Sequence, residues 1–151
     1  LEVVAHAGET DGEKSMVDAI ELLKVSRIAH CLGIEKSSRL EEKILEEKIT
    51  LDLCPWSNVA TGSLSCIEDH PLPEYIKRGY SVTLNSDDPG MFSTSLKKEF
   101  ETMAESRNLT RFQLADLSRN AVSGSFLPFE KKERLHGEIN EYQRKFEMGS
   151  N

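Results

Sequence analysis

Three apolar segments of this sequence each end in side chains that can bind a metal ion or transfer a proton. The first ends in His6, with Glu9 three residues later, and the second ends in His30. The third ends in the adjacent carboxylates Asp87 and Asp88. Imidazole and carboxylate groups are ligands of catalytic zinc, which keeps one position open for water. The pattern predicts a single active site built at the ends of several strands.

The chemistry of each residue suggests a different role in such a site. His6 and Asp87 are candidate metal ligands, while Glu9 could shuttle protons from a loop over the site. His30 could stabilise or orient an attacking hydroxide. Asp88 would offer its carboxylate to substrate. Two metal ligands are too few for a catalytic zinc, and the four histidines include no His-x-His pair.

Structural interpretations of the same residues remain open at this point. A histidine at a strand end is commonly structural, and an Asp-Asp-Pro-Gly run is commonly a turn. The pair Ser57-Asn58 could contact substrate or hydrogen-bond loop backbone. His70 and His136 are assigned no catalytic role. Because three such strand ends occur in one short chain, we favour the active-site interpretation.

Composition limits the class of protein. The chain has 151 residues and a net charge of −7, which predicts one acidic globular domain and argues against a nucleic-acid-binding surface. No apolar run approaches the roughly 20 residues that a membrane helix needs, and residue 1 begins without a basic leader. Three cysteines without a C-x-x-C pair argue against disulfides and zinc ribbons. We therefore expect a cytoplasmic protein.

Strand-like and helix-like segments alternate along the sequence, which predicts a parallel sheet covered by helices. Polar residues recur after all four strands, as they do in a (β/α)₈ barrel, but a whole barrel needs about 250 residues. We therefore predict half a barrel, with residues 107–151 as a helical extension of the same domain. The expected strands are 3–5, 27–32, 49–54 and 80–85, and 56–65 is expected to be a loop. The expected helices are 15–25, 38–48, 69–78, 95–106, 110–122 and one that begins at 128. Leu96, in the helix 95–106, is expected to face inward.

Four motifs occur in order along the chain: His6-Ala7-Gly8-Glu9, Arg27-Ile28-Ala29-His30, Cys54-Pro55-Trp56-Ser57-Asn58 and Ser86-Asp87-Asp88-Pro89. Together they resemble the adenosine/adenine deaminases, which are zinc enzymes on a (β/α)₈ barrel, and the resemblance extends along nearly the whole chain. It implies that the four strands are barrel strands 5 to 8 and that the reaction is hydrolytic deamination of adenosine to inosine and ammonia.

The resemblance also implies a role for each site residue. His6 and Asp87 would ligate Zn²⁺, and Asp87 would also accept a proton from the attacking water. Glu9 would protonate the purine ring nitrogen beside the attacked carbon, and His30 would hold the hydroxide. Asp88 would hydrogen-bond the purine. Ala29 and Cys31 stand where the family commonly has glycine on both sides of this histidine, and both are small.

A second departure is larger, because the remaining zinc ligands of the family come from an upstream His-x-His pair. We therefore expect this C-terminal portion to be inactive alone and to pair with an N-terminal half-barrel or self-associate, since a half-barrel leaves two sheet edges open. Two alternatives remain. The substrate could be adenine or a modified adenine nucleotide, or the chain could be a non-catalytic domain derived from a deaminase.

Overall fold

Four short parallel strands form the centre of the molecule. The computed structural model describes residues 1–148. The strands lie side by side in chain order, so each connection crosses to the neighbouring strand through helices. This arrangement confirms the predicted α/β fold. The strands are β1 (Val4–Ala7), β2 (Arg27–His30), β3 (Thr50–Leu53) and β4 (Ser81–Leu84).

Helices follow each strand, and three more helices complete the C-terminal part. Short 3₁₀ turns at Ile34–Lys36 and Ile67–Asp69 lead into the second and fourth helices. No helix within residues 1–148 is long and apolar enough to cross a membrane. The helices are α1 (Gly12–Glu21), α2 (Ser38–Glu46), α3 (Pro55–Ala60), α4 (Leu72–Lys77), α5 (Pro89–Phe92), α6 (Leu96–Arg107), α7 (Arg111–Ser123) and α8 (Phe129–Met148).

The two faces of the sheet differ in polarity because side chains alternate along each strand. Ile28, Leu51 and Val82 lie opposite one another in the register and are fully buried in the apolar core. The next row along the strands is His6, Ala29, Asp52 and Thr83, which lie on the opposite face. The apolar row therefore anchors the sheet to the helices, and the polar row leaves His6 on the face that a complete barrel would enclose.

An ion pair lies on this polar face. Arg27 donates from Nε and Nη2 to the two carboxylate oxygens of Asp52, at 2.9 and 2.5 Å. Its Nη1 donates to the backbone oxygen of Gly124, 2.6 Å away, just after α7. Thr83 donates to Asp52 at 2.6 Å. The pair thus ties the segment after α7 to three neighbouring strands.

Local sequence signals account for several helix boundaries. The predicted capping box is present: Thr110 Oγ1 accepts from the backbone N–H of Gln113, whose side chain accepts in return from the Thr110 N–H. Beyond its cap, α7 packs on β4, where Asn120 donates to the backbone oxygen of Val82 at 2.9 Å. This contact satisfies a carbonyl at the outer edge of the sheet.

Two expectations about local structure are wrong. The expected loop 56–65 begins inside α3, because Pro55 occupies the first helical position, where its fixed backbone angle favours a helix. Leu96, expected to face inward, is exposed at the first position of α6, whereas Phe100 packs against the core and Met103 is buried in it.

Candidate metal centre and active site

His6, Glu9 and His30 converge at the carboxyl end of β1 and β2. The Nε2 atom of His30 lies 3.0 Å from Nδ1 of His6 and 3.5 Å from a carboxylate oxygen of Glu9. One ligand atom from each of the three residues lies within 4.8 Å of the others. The structure therefore brings these three side chains together, and their roles in one active site stay predictions.

A tight turn after β1 brings Glu9 back toward the site. Gly8 adopts a left-handed backbone angle of +74°, which side chains other than glycine rarely adopt. A Cβ atom at Gly8 would also lie 2.6 Å from Sδ of Met16, which is buried beneath the turn. Glycine is thus required here for two independent reasons, and both serve the placement of Glu9.

Left-handed backbone angles also occur at two of the predicted site residues themselves. His30, the last residue of β2, has φ = +73°, and Asp87, three residues after β4, has φ = +53°. Such angles cost roughly 1 kcal/mol or more in non-glycine residues and cluster at functional sites. Here they turn each side chain toward the common end of the sheet.

His30 is the most enclosed member of the group, with 1% of its surface exposed. Burial lowers its pKa, an effect that the nearby carboxylates of Glu9 and Asp87 partly offset and that His6 adds to. Its second nitrogen, Nδ1, lies 3.2 Å from Nδ2 of the buried Asn58. If the amide donates to Nδ1, the ring proton is on Nε2, which faces His6 and Glu9.

Asp87 lies next to this group but outside the set of mutually close ligand atoms. Its Oδ2 accepts a hydrogen bond of 2.7 Å from Oγ of Ser57, a residue with no exposed surface. The prediction that Asp87 and His6 ligate one metal ion stays a prediction. Ser57, expected to contact either loop backbone or substrate, instead donates to the Asp87 carboxylate.

Asp88 caps the N-terminus of a helix in this structure. Its Oδ1 accepts from the backbone N–H of Met91 at 2.9 Å, and it is the N-cap of α5. The turn interpretation of the Asp-Asp-Pro-Gly run therefore accounts for one contact of Asp88. A role in binding substrate stays a prediction.

The donor atoms at this site fit a zinc ion. One ligand-type atom from each of His6, Glu9 and His30 lies within 4.8 Å of the other two, so a zinc ion held by His6 would have Glu9 and His30 as neighbours. Imidazole and carboxylate are also the ligand types that zinc accepts.

Comparison with known proteins agrees with this geometry. Residues 1–142 match the adenosine deaminase family. The chain belongs to the adenosine deaminase family. One relative is the aminodeoxyfutalosine deaminase of Streptomyces avermitilis, 39% identical over 142 residues that cover 94% of this chain and 40% of the relative. This family member thus spans well under half the length of that relative.

Solved structures of deaminases show the same architecture. An adenine deaminase from Arthrobacter aurescens superposes with a TM-score of 0.92 at 30% identity, covering 95% of this chain and 44% of that one. The N6-methyl-AMP deaminase of Arabidopsis thaliana gives 0.84 at 26% identity, covering 96% and 42%. The four βα units therefore correspond to the C-terminal part of a deaminase (β/α)₈ barrel, as predicted. The boundary at residue 107 stays a prediction.

The two histidines that were assigned no role lie away from the site. His70 is fully buried, and its Nδ1 accepts from the backbone N–H of Leu72 at 3.2 Å. Burial lowers the pKa of His70 to about 3, with a smaller contribution from the nearby Arg107. His136 lies on α8, 3.2 Å from the hydroxyl of Ser123.

Proposed function

We propose that this chain supplies the C-terminal half of a zinc-dependent deaminase that converts adenosine to inosine and ammonia. One observation carries the proposal. His6, Glu9 and His30 meet at the carboxyl end of a deaminase-type sheet, with the Ser57–Asp87 pair beside them. The family match over residues 1–142 supports the same chemistry.

The two carboxylate oxygens of Glu9 suit it to proton transfer. One accepts a hydrogen bond of 3.3 Å from Thr61, and the other faces His30 at 3.5 Å. The first contact holds the side chain, so the second oxygen can deliver a proton to the purine ring nitrogen beside the attacked carbon. The departing amine would take the proton that Asp87 accepts from the attacking water and leave as ammonia, while Glu9 would recover a proton from the new hydroxyl group as the carbonyl forms.

His30 and Asp87 would act on the attacking water. Both are held by buried side chains, His30 by Asn58 and Asp87 by Ser57. His30 would orient the water by hydrogen bonding, and Asp87 would accept its proton. A zinc ion bound by His6 and its neighbours would lower the pKa of water toward neutrality.

The remaining part of the barrel would come from outside this chain. Within residues 1–148, β1 pairs only with β2, and its residues Val4 and His6 are exposed on the face that a barrel encloses. We infer that further strands pair at the β1 and β4 edges and bring the missing His-x-His ligands. Self-association through these edges is the alternative.

The substrate is adenosine in this proposal, with adenine or a modified adenine nucleotide as the alternative. The relatives differ here: one acts on aminodeoxyfutalosine, one on adenine and one on N6-methyl-AMP, by their names. The family thus varies what is attached to the purine. Asp88 is proposed to contact the part of the purine that all of these share.

A reconstituted barrel tests the proposal. It would join the N-terminal part of the Arthrobacter adenine deaminase barrel to residues 1–151. Ammonia release is then measured with adenosine, adenine, AMP and N6-methyl-AMP at equal concentrations. Preference for adenosine supports the proposal, and preference for another purine corrects its substrate. A folded, zinc-loaded barrel that releases ammonia from none of them would favour the non-catalytic alternative.

A further inference from the structure

Glu99 is a buried carboxylate that the proposed chemistry does not use. It lies in the first turn of α6 with no exposed surface. Its Oε1 accepts a hydrogen bond of 2.8 Å from the hydroxyl of Thr94, and its Oε2 accepts one of 3.3 Å from the backbone N–H of Trp56. Both partners are neutral donors, so this acid is buried without a cation hydrogen-bonded to it.

The contact with Trp56 compensates for a missing helix cap. The first N–H groups of a helix have no partner within the helix, and a side chain at the N-cap commonly accepts from one of them. In α3 the N-cap is Cys54, which makes no such bond. Glu99 performs this function from another helix, and its negative charge suits the positive end of the α3 dipole.

The two residues after Trp56 both contact predicted site residues. Ser57 donates to Asp87 at 2.7 Å, and Asn58 lies 3.2 Å from the ring of His30. The other partner of Glu99, Thr94, belongs to the segment that follows Asp87 in the chain. The Glu99 carboxylate therefore connects the start of α3 to the segment between α5 and α6.

We propose that Glu99 is a positioning residue that fixes α3 against the loop after β4, so that Ser57 and Asn58 hold Asp87 and His30 in register. The catalytic consequence rests on the proposed function, whereas the tie itself does not. Burial raises the pKa of Glu99, although the two hydrogen bonds and the nearby Lys98 oppose this. Burial thus disfavours the ionised carboxylate, as expected if Glu99 serves to hold its two hydrogen-bond partners in place.

Trp56 is the single tryptophan of the chain, so tryptophan fluorescence reports on the surroundings of this residue. The indole Nε1 donates to Thr102 at 3.2 Å, and the ammonium of Lys98 lies 4.5 Å from the ring centroid. Both contacts come from α6, the helix that carries Glu99. Loss of the tie should therefore change the emission maximum of Trp56 and its quenching by acrylamide.

The test compares Glu99→Ala with Glu99→Gln in the full chain and in the reconstituted barrel. Glu101→Ala is the matched control, since Glu101 lies on the same helix but is exposed and pairs with Lys97. Glu99→Ala should increase Trp56 quenching and lower kcat on the order of 10²-fold, the cost of a slightly misplaced site, with KM changed less than about threefold. Glu99→Gln keeps an acceptor for the Trp56 N–H, so its Trp56 quenching and its kcat should lie close to the wild-type values. Glu101→Ala should change neither the quenching nor kcat.

Each outcome decides between the proposals. If Glu99→Ala folds and keeps the wild-type kcat, Glu99 has no positioning function, even though the deaminase proposal stands. If the wild-type barrel releases no ammonia, the deaminase proposal fails, and the Trp56 quenching still tests the tie. If Glu99→Ala does not fold, Thr94→Val removes only one of the two bonds, and an unchanged kcat in that variant would overturn the inference.

Discussion

Nε2 of His30 lies 3.0 Å from Nδ1 of His6, although 24 residues separate them in the sequence. Their proximity follows from the sheet register, which places His6 opposite Ala29 and His30 one residue beyond. The left-handed backbone at His30 then turns its ring toward His6. Strand pairing thus brings together two histidines that are distant in the sequence.

The first prediction follows from this pair. His6→Ala in the reconstituted barrel removes a proposed zinc ligand, and even loss of a residue that only supports a ligand weakens metal binding about 10- to 100-fold. We expect a loss of at least that size, measured as the zinc dissociation constant in competition with a chelator. His136→Ala on α8 is the control and should bind zinc as the wild type does. Equal affinity of the two variants would remove His6 from the metal site.

The second prediction concerns the ion pair on the polar face of the sheet. Arg27 and Asp52 keep only 15% and 12% of their side-chain surfaces exposed. Arg27→Met should lower the free energy of unfolding by about 3–5 kcal/mol, because Asp52 is left as a buried charge without its partner. Urea denaturation measures the change. The double variant Arg27→Met with Asp52→Leu should recover much of the loss, and a double variant as unstable as the single one would contradict this explanation.

The third prediction is a pH dependence of stability that comes from His70. In the unfolded chain this histidine titrates near its ordinary pKa of 6.5, whereas burial lowers the pKa in the folded state to about 3. Between these values the unfolded state binds more protons, so the free energy of unfolding falls as the pH is lowered. One proton contributes a slope of about 1.4 kcal/mol per pH unit.

His70→Asn tests this slope directly. The Asn side chain can accept from the Leu72 N–H as Nδ1 of His70 does, but it does not titrate. Urea denaturation between pH 4 and 6 should show a shallower loss of stability than in the wild type. Parallel curves for the two proteins would show that His70 is not the group responsible.

The fourth prediction concerns Gly124, whose backbone angles are ordinary but whose surroundings are full. A Cβ atom there would overlap Oγ1 of Thr50 and lie 2.8 Å from its Cγ2. Gly124→Ala should therefore destabilise the protein by about 1–3 kcal/mol, as overpacking does. Thr50→Ala removes both of the overlapping atoms and should restore stability in the double variant, as measured by thermal denaturation. No restoration would indicate a cause other than this overlap.

The predictable features are those that short segments encode. The four strands follow from apolar runs, and the proximity of His6, Glu9 and His30 follows because parallel strands bring their carboxyl ends to one edge of a sheet. The capping box at Thr110 is also local, as both of its partners lie within four residues.

The features that were not predicted depend on residues far apart in the sequence. The Ser57–Asp87 hydrogen bond spans 30 residues, and the Glu99–Trp56 contact spans 43. No periodicity marks such pairs, because each depends on how a loop lies on its neighbour. Only Pro55 carried an overlooked local signal, since proline at the first position of a helix predicts α3.

Ammonia release by the reconstituted barrel with wild-type Glu9 or with Glu9→Gln tests the central claim most directly. The substitution keeps the shape of the side chain and its contact with Thr61 but removes the group proposed to transfer the proton. With zinc content and folding matched, kcat should fall about 10²- to 10⁴-fold, the usual contribution of general acid–base catalysis. A Glu9→Gln barrel that releases ammonia at the wild-type rate would contradict the account.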